Sequence, residues 1–413
     1  MLARLTPKDA MPASAREALA RLEMAIRTAA LDAQVHLGGS VAKGTNLAGD
    51  HDVDVFVRFA VENGDALLSD LLEPVLRSAF PDFERVHGSR DYFHIPLPDG
   101  TLEIIPVLAA TTWEEAANVT DMSPLHVAYV RSHIDRRPWL AGEIRLTKQF
   151  LKSAKAYGAE SYIGGFSGHV VDLLIICYGG FRALLSAVAS EWSRKIVLDP
   201  EQRLTDPLAE LNASKTHAPL VIVDPVQSDR NSAAALTRAC FDRFRARARE
   251  YLDAPEQEQE RFFTVEPLSV RAFGVENDGA RILRVTLVPL RGKRDVVGAK
   301  CAKAHEHLER SLAEYGFGPL ASAWEFTSER ATLLYAVAPD ELPAQEDVVG
   351  PPVHMTDAVA RFGDAHPTVF THDGRVHALE DRRYRDALAL LRDLLDGPYV
   401  RERVQSARVD APA

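Results

Sequence analysis

Cysteine is scarce in this chain. Only three occur in 413 residues, Cys177, Cys240 and Cys301, and none belongs to a C-x-x-C pair. Disulfide-stapled domains and cysteine-rich zinc sites need more cysteines at closer spacing. The sequence indicates neither class, so an apolar core must hold the fold.

Long apolar runs are also lacking. The best stretch, 170–181, is short and contains Asp172, and the first nine residues include no apolar segment like that of a secretory leader. The sequence therefore predicts no membrane partner, and we expect a cytoplasmic protein.

Basic residues are outnumbered by acidic ones. The chain has 48 Lys and Arg against 59 Asp and Glu, a formal charge of −11. The molecule as a whole should repel polyanions such as RNA. Any nucleic-acid partner must be held by a local basic surface.

Apolar material is abundant, since 46% of the residues are hydrophobic. At about 150 residues per domain, the length predicts more than one domain. Mixed helix and strand patterns come first, helical periodicity dominates 124–251, and strands return at 281–290 after an acidic linker at 253–260. We predict an α+β multidomain chain with the bounds 1–122, 123–255 and 256–413.

Several local patterns predict single elements. Ser14 and Glu17 have the spacing of a capping box. Alternating residues predict a strand over 52–59, and helical periodicity predicts helices over 145–157 and 167–187. These elements carry or flank most of the polar motifs.

The most specific pattern is a glycine-serine turn followed by two spaced acids, Gly39-Ser40 and then Asp52 and Asp54. Residues two apart on a strand face the same side, so both carboxylates point to one place. Hard oxygen ligands suit Mg²⁺, and the turn can present backbone N–H groups to a triphosphate. This combination is typical of polymerase-beta-like nucleotidyltransferases.

That superfamily needs a third carboxylate on a neighbouring strand, for which Glu103 is the candidate. Three such acids would hold two Mg²⁺ ions, one activating a hydroxyl and one binding the triphosphate. The alternative for Glu103 is an exposed strand residue without a ligand.

A basic helix face follows in the central region. Arg145, Lys148, Lys152 and Lys155 recur at helical spacing, and only Glu143 lies near enough to compensate them. We predict that Lys148 contacts phosphate. The alternative is a solvated charged face.

A second basic stretch extends from Arg281 and Arg284 to 303. Such clustering in an acidic chain suits binding of RNA phosphates. Paired surface charges are the alternative. The predicted RNA-binding residues are Arg291, Lys293, Arg294, Lys300 and Lys303.

Longer segments resemble the archaeal-type, class I CCA-adding tRNA nucleotidyltransferases. The resemblance covers nearly the whole chain in the family's order. Its segments are 35–59, Ser123-Pro124-Leu125-His126, Tyr157-Gly158-Ala159-Glu160, Gly165-Phe166-Ser167-Gly168, Asp224-Pro225-Val226, Asp229-Arg230-Asn231 and Gly350-Pro351-Pro352-Val353.

The resemblance implies template-independent addition or repair of the 3′-terminal CCA of tRNA from CTP and ATP. It also implies a catalytic head, a helical central domain and an α/β body and tail that hold tRNA, and it leaves a homodimer open. The implied catalytic and metal-binding residues are Asp52, Asp54 and Glu103, with two Mg²⁺ ions. The implied nucleotide-binding residues are Gly39, Ser40, Lys43, His126, Lys148, Tyr157 and Arg230.

Two other interpretations stay open. The same acids could serve transfer to another RNA end, because their chemistry suits any 3′-hydroxyl. The second interpretation is an RNA-binding protein with impaired catalysis, because Glu103 stands where the family pattern has Asp.

Overall fold

The computed structural model describes residues 1–64 and 67–410. The chain divides into two compact units, Met1–Glu266 and a second that begins at Pro267. Helices and sheets occur in both, as predicted for an α+β multidomain chain. The finer bounds at 122 and 255 stay a prediction.

The acidic run at 253–260, predicted as a linker, belongs to the first unit. Glu256–Phe263 forms a 3-10 helix, and its last two side chains, Phe262 and Phe263, are buried in the helical core. The linker interpretation is therefore wrong, because this aromatic pair fixes the run against the core.

The first unit contains a sheet region followed by a helical region. Its helices are α1 (Leu2–Leu5), α2 (Ala13–Thr28), α3 (Gly39–Lys43), α4 (Leu68–Ala79), α5 (Ser123–Arg136), α6 (Leu140–Ser153), α7 (Gly168–Tyr178), α8 (Phe181–Ser190), α9 (Pro207–Glu210) and α10 (Arg238–Asp253). Its strands are β1 (Ala33–Leu37), β2 (Asp52–Phe59), β3 (Glu84–Val86), β4 (Tyr92–Leu97), β5 (Gly100–Leu108), β6 (Ile196–Leu198) and β7 (Leu220–Ile222).

The first five strands form one sheet in the order β1-β2-β5-β4-β3. Strand β2 has the predicted bounds, and Val53, Val55 and Val57 on one of its faces are fully buried against α2 and α4. The period of two leaves Asp52 and Asp54 on the opposite face. Since β2 pairs with β5 in parallel, Asp54 lies in register with Glu103.

The predicted capping box at the start of α2 is not formed. The helix begins at Ala13 with Pro12 as its N-cap, and no side chain caps it. The hydroxyl of Ser14 instead donates to a carboxylate oxygen of Asp99, at 3.3 Å. The spacing was correct for the motif, but the helix starts two residues too early for it.

The helix predicted over 167–187 is two helices. It breaks at Gly179, which has a φ of +82°, and α7 and α8 meet at 90°. No single helix in the described ranges is long and apolar enough to cross a membrane, and this bent pair meets that test only jointly. Helix α6 also ends early, at Ser153, so Lys155 lies outside it.

The helical region packs around large aromatic side chains. Phe150, Phe166, Phe244 and Trp192 are almost completely buried among α5, α6, α7, α8 and α10. A short parallel pair, β6 and β7, lies beside these helices. Both strands have only three residues, which is too short for a clear strand pattern in the sequence.

The second unit contains two antiparallel sheets. Its helices are α11 (Val270–Glu276), α12 (Arg294–Glu314), α13 (Thr356–Ala365), α14 (Ala387–Asp396) and α15 (Pro398–Arg401). Its strands are β8 (Arg281–Pro289), β9 (Ala321–Phe326), β10 (Ala331–Val337), β11 (Gln345–Pro352), β12 (Val369–His372), β13 (Arg375–Asp381) and β14 (Val404–Asp410).

The larger of these sheets has the order β14-β8-β10-β9, and the smaller has the order β11-β13-β12. Leu283, Val285 and Leu287 of β8 are completely buried in a core to which α12 and α14 contribute. The family-like Gly350-Pro351-Pro352 segment ends β11, where Gly350 has no room for a side chain beside Val376.

Candidate active site

Three acids from two neighbouring strands form the centre of the site. Asp52 and Asp54 lie on β2, and Glu103 lies beside Asp54 on β5. The pKa of Asp54 is raised to about 6, first because the carboxyl is buried and then because the charges of Glu103 and Asp52 repel its own. Lys43 and Lys148 oppose this shift. Negative charge is therefore crowded at one place, as a cation site requires.

The glycine-serine turn lies directly against these acids. The Gly38 amide donates to the Asp54 carbonyl at 2.8 Å, and Gly39 has a φ of +53°. A Cβ on Gly39 would come within 1.5 Å of a carboxylate oxygen of Asp54. Only glycine fits here, and Ser40 follows it in the short helix α3. The backbone of the turn and the acids are thus adjacent, as predicted.

Lys43, at the end of α3, is held by a buried acid. Its ammonium forms an ion pair with Asp172 of α7, whose side chain is completely buried. The resemblance implies nucleotide binding for Lys43. In the structure its charge faces this carboxylate, and so it links the turn to the helical region.

The basic face of α6 binds the segment 44–50, between the turn and β2. Arg145 donates to two backbone carbonyls of this segment, at 2.6 and 2.9 Å. Lys148 donates to a third carbonyl at 3.1 Å, and Lys152 pairs with Asp50 at 3.1 Å. A solvated charged face is therefore the wrong interpretation of these residues.

Lys148 is the most deeply buried member of this face, with 3% of its surface exposed. Burial lowers its pKa to about 8. Near it, Tyr157 lies under the ammonium of Lys152, 5.5 Å from the ring centre. The hydroxyl of Tyr157 faces Gly168 at the start of α7, where a Cβ would be 3.1 Å from it. Lys148 and Tyr157, two predicted nucleotide-binding residues, thus lie near the start of α7.

Two further predicted residues, His126 and Arg230, meet at a buried acid for which no role was predicted. Asp224 accepts from both, at 2.8 Å from Nε2 of His126 and 3.0 Å from Arg230. His169 lies against His126, with the ring centres 4.3 Å apart and the ring planes tilted by 50°. His126, His169 and Asp224 offer ligand atoms within 4.8 Å of one another, so they are a possible metal-binding group.

His94 is a neighbour of the acids that sequence reasoning missed. It lies opposite Glu103 across the β4–β5 pair, with Nε2 3.0 Å from the carboxylate. The hydrogen bond to Glu103 raises the pKa of His94 more than burial lowers it. The pair depends on the register of β4 against β5, which the sequence does not specify.

The predicted RNA-binding residues lie in the second unit, at the start of α12 and just before it. Arg291, Lys293, Arg294 and Lys303 are exposed, and Lys300 is half-buried. Two other arginines of the same basic stretch are paired on β8 with Asp386 and Asp410. The alternative of paired surface charges is thus correct for those two.

Family models match three parts of the chain. A nucleotidyltransferase domain matches residues 19–105, a tRNA nucleotidyltransferase second domain matches residues 142–264, and a CCA-adding enzyme C-terminal domain matches residues 293–406. The matches agree with the predicted order of a catalytic head, a helical part and a C-terminal part.

Solved structures with a similar fold include a poly(U) polymerase and an RNA terminal U-transferase. The Cid1 poly(U) polymerase has a TM-score of 0.53 and 13% identity over 64% of this chain and 96% of that one. A cytoplasmic RNA terminal U-transferase has a TM-score of 0.50 and 14% identity over 65% of this chain and 96% of that one. At such low identity the likeness describes the fold alone.

Curated relatives match over most of their length. A CCA-adding enzyme of Halobacterium salinarum is 32% identical over 373 residues, which cover 87% of this chain and 78% of the relative. A second CCA-adding enzyme, from Nanoarchaeum equitans, is 29% identical, and the match covers 85% of this chain and 84% of the relative. A third CCA-adding enzyme, from Saccharolobus islandicus, is 30% identical, and the match covers 84% of this chain and 81% of the relative. The chain therefore belongs to the family of CCA-adding enzymes.

Proposed function

We propose that this chain adds or repairs the 3′-terminal CCA of tRNA, using CTP and ATP and no nucleic-acid template. The observation that carries the proposal is the contact between the acids and the turn. Asp54 lies so close to Gly39 that no side chain fits between them. A nucleoside triphosphate at the turn would thus have its phosphates beside the acid cluster.

The residues fit a divalent cation with oxygen ligands. Asp52, Asp54 and Glu103 crowd enough negative charge to raise the pKa of Asp54, and carboxylates are the ligands that Mg²⁺ prefers. These three acids would hold the ions. When bound, Mg²⁺ neutralises phosphate charge and activates the attacking hydroxyl.

The reaction itself is an in-line displacement. The 3′-oxygen of the RNA forms a bond to the α-phosphorus of the nucleotide, the bond from that phosphorus to the oxygen bridging to the β-phosphate breaks to release pyrophosphate, and the hydroxyl proton passes to solvent. Positioning supplies most of the rate in such a transfer. Gly39 and Ser40 would orient the phosphates, and Lys148 would offset their charge. Asp54 must be ionised to act with Asp52 and Glu103.

Glu103 stands where the family pattern has Asp, and its side chain is longer by one methylene. His94 holds the carboxylate from the neighbouring strand at 3.0 Å. Such a bond limits the positions that the longer side chain can adopt. This supports a working third ligand and speaks against the interpretation as a catalytically impaired RNA-binding protein.

The proposal is tested with three tRNA transcripts that end before the first C, the second C or the final A. Each is incubated with Mg²⁺ and one labelled nucleotide. We expect incorporation of C, C and A respectively. Indiscriminate addition of one nucleotide, or addition to unrelated RNA ends, would instead favour a general terminal nucleotidyltransferase. Cytoplasmic location and a homodimer stay predictions.

A further inference from the structure

Asp224, just after β7, is a completely buried acid that is fixed by its own chain. One carboxylate oxygen accepts from the backbone N–H groups of Val226 and Gln227, at 2.9 and 3.2 Å. The other accepts from the hydroxyl of Ser232 at 2.9 Å. These three donors hold the carboxylate in place independently of His126 and Arg230.

Two further side chains that donate to this carboxylate are predicted nucleotide-binding residues. Nε2 of His126 lies 2.8 and 3.0 Å from its two oxygens, and Arg230 donates to it at 3.0 Å. A carboxylate only accepts, so Nε2 of His126 must carry a proton. Asp224 has no exposed side-chain surface, whereas His126 and Arg230 expose 13% and 44% of theirs. The acid lies beneath two side chains that can reach a ligand.

The charge of Asp224 is secure. Burial alone would raise its pKa, but the hydrogen bond from His126 and the nearby imidazoles of His126 and His169 keep the pKa well below its usual value. The acid is therefore ionised throughout the range in which an enzyme of this kind is assayed. It gives its neighbours a permanent negative charge at a fixed position.

A metal ion is the competing interpretation, since His126, His169 and Asp224 lie close together. Both oxygens of Asp224 already accept hydrogen bonds, and the guanidinium of Arg230 lies against one of them. An incoming cation would have to displace this positive charge and the proton of His126. The group therefore works better as a hydrogen-bonded cluster than as a metal site.

We infer that Asp224 is a positioning residue for nucleotide binding. His126 comes from α5 and Arg230 from the loop after β7, so their shared partner is what keeps the two at a set separation. Through them Asp224 would determine how firmly CTP and ATP are held in a productive orientation. This inference rests on the proposed function, because the role of both side chains comes from it.

The first test replaces Asp224 without changing its size. Asp224→Asn removes the charge and turns an NH₂ group toward donors, so we expect the KM for both nucleotides to rise about tenfold or more, with a smaller effect on kcat. Asp229→Asn is the matched control, since it makes the same change at an exposed acid of the same loop, one that pairs with Lys215. It should leave KM within about twofold. A wild-type KM for Asp224→Asn would overturn the inference.

A double-mutant cycle separates positioning from a general effect on structure. The Kd of labelled CTP is measured by equilibrium dialysis, which needs no RNA and so reports even if the tRNA reaction fails. In the His126→Ala/Arg230→Ala background, Asp224→Asn should cause no further loss, because the two side chains that Asp224 positions are gone. Additive losses would contradict the inference. Should Asp224→Asn not fold, Asp224→Glu replaces it: the charge stays but moves by one methylene, so the same rise in KM is expected from displacement of His126 and Arg230.

Discussion

At the scale of single residues, Gly39 leaves less room for a Cβ than any other described glycine. Its φ is positive, and its missing side chain leaves the space that a carboxylate oxygen of Asp54 fills. The sequence predicted a glycine turn there. The close approach could not be predicted, because it depends on the antiparallel pairing of β1 with β2.

Gly39→Ala should abolish most of the activity while leaving the second unit intact. The added Cβ must displace the turn or Asp54, and a misplacement of about 1 Å can cost about 100-fold in rate. Single-turnover incorporation of labelled nucleotide measures the loss. Gly318→Ala is the control, because a Cβ there meets nothing within 4 Å. Normal turnover by Gly39→Ala would mean that the turn does not shape the site.

The raised pKa of Asp54 predicts a pH dependence of metal binding. Because this pKa is about 6 in the metal-free protein, Asp54 is increasingly protonated below that pH, and protons compete with the cation. We expect the affinity for Mn²⁺, followed by electron paramagnetic resonance, to fall by up to about tenfold per pH unit below pH 6 and to level off above it. Asp54→Asn should weaken binding and flatten this profile. An unchanged wild-type affinity down to pH 5 would contradict the assignment.

At the scale of elements, the pattern of apolar and polar residues predicted the bounds of a strand better than it predicted where helices end. Strand β2 has the predicted bounds, because acidic and buried residues alternate from Asp52 to Val55 and the apolar run then continues to Val57. The helix over 167–187 was predicted as one because both halves are apolar, yet Gly179 and Gly180 divide it. Apolar periodicity continues across the break, and the adjacent glycines are the sequence signal that marks it.

Glu143 of α6 caps the start of the helix α8. The sequence suggested that it compensates the basic face of α6, but its carboxylate accepts the N–H of Phe181 at the start of α8, at 2.7 Å. Glu143→Ala should lower the free energy of unfolding by about 1 kcal/mol, as loss of a helix cap does. Urea denaturation measures this. Glu191→Ala, at the exposed end of α8, should stay within about 0.5 kcal/mol of wild type. Equal stabilities for all three proteins would rule out the cap.

At the scale of the whole molecule, charge decides how RNA can bind. The net charge of −11 opposes RNA, so the affinity must come from local basic residues. The sequence located a basic stretch but could not separate its paired members from its exposed ones. Arg281 and Arg284 are neutralised by acids that come from α14's start and from β14, far away along the chain.

The exposed members should therefore carry the RNA affinity. Alanine at Arg291, Arg294 and Lys303 together should weaken tRNA binding and reduce the slope of log K against log salt by about one for each phosphate that is no longer neutralised. Filter binding at several salt concentrations measures both. Alanine at Arg284, which is paired with Asp410, should change the slope little. If the triple variant keeps the wild-type slope, the RNA lies elsewhere.

The acid cluster is tested most directly by one measurement, the incorporation of labelled ATP into tRNA that lacks only its final A. Wild type is compared with Asp52→Ala and Asp54→Ala, and retention of the same tRNA is recorded in parallel. We expect each variant to lose at least about 1,000-fold in rate, because the cation loses a ligand, while tRNA retention stays within about twofold. Turnover at the wild-type rate by either variant would contradict a metal-dependent transfer at these acids.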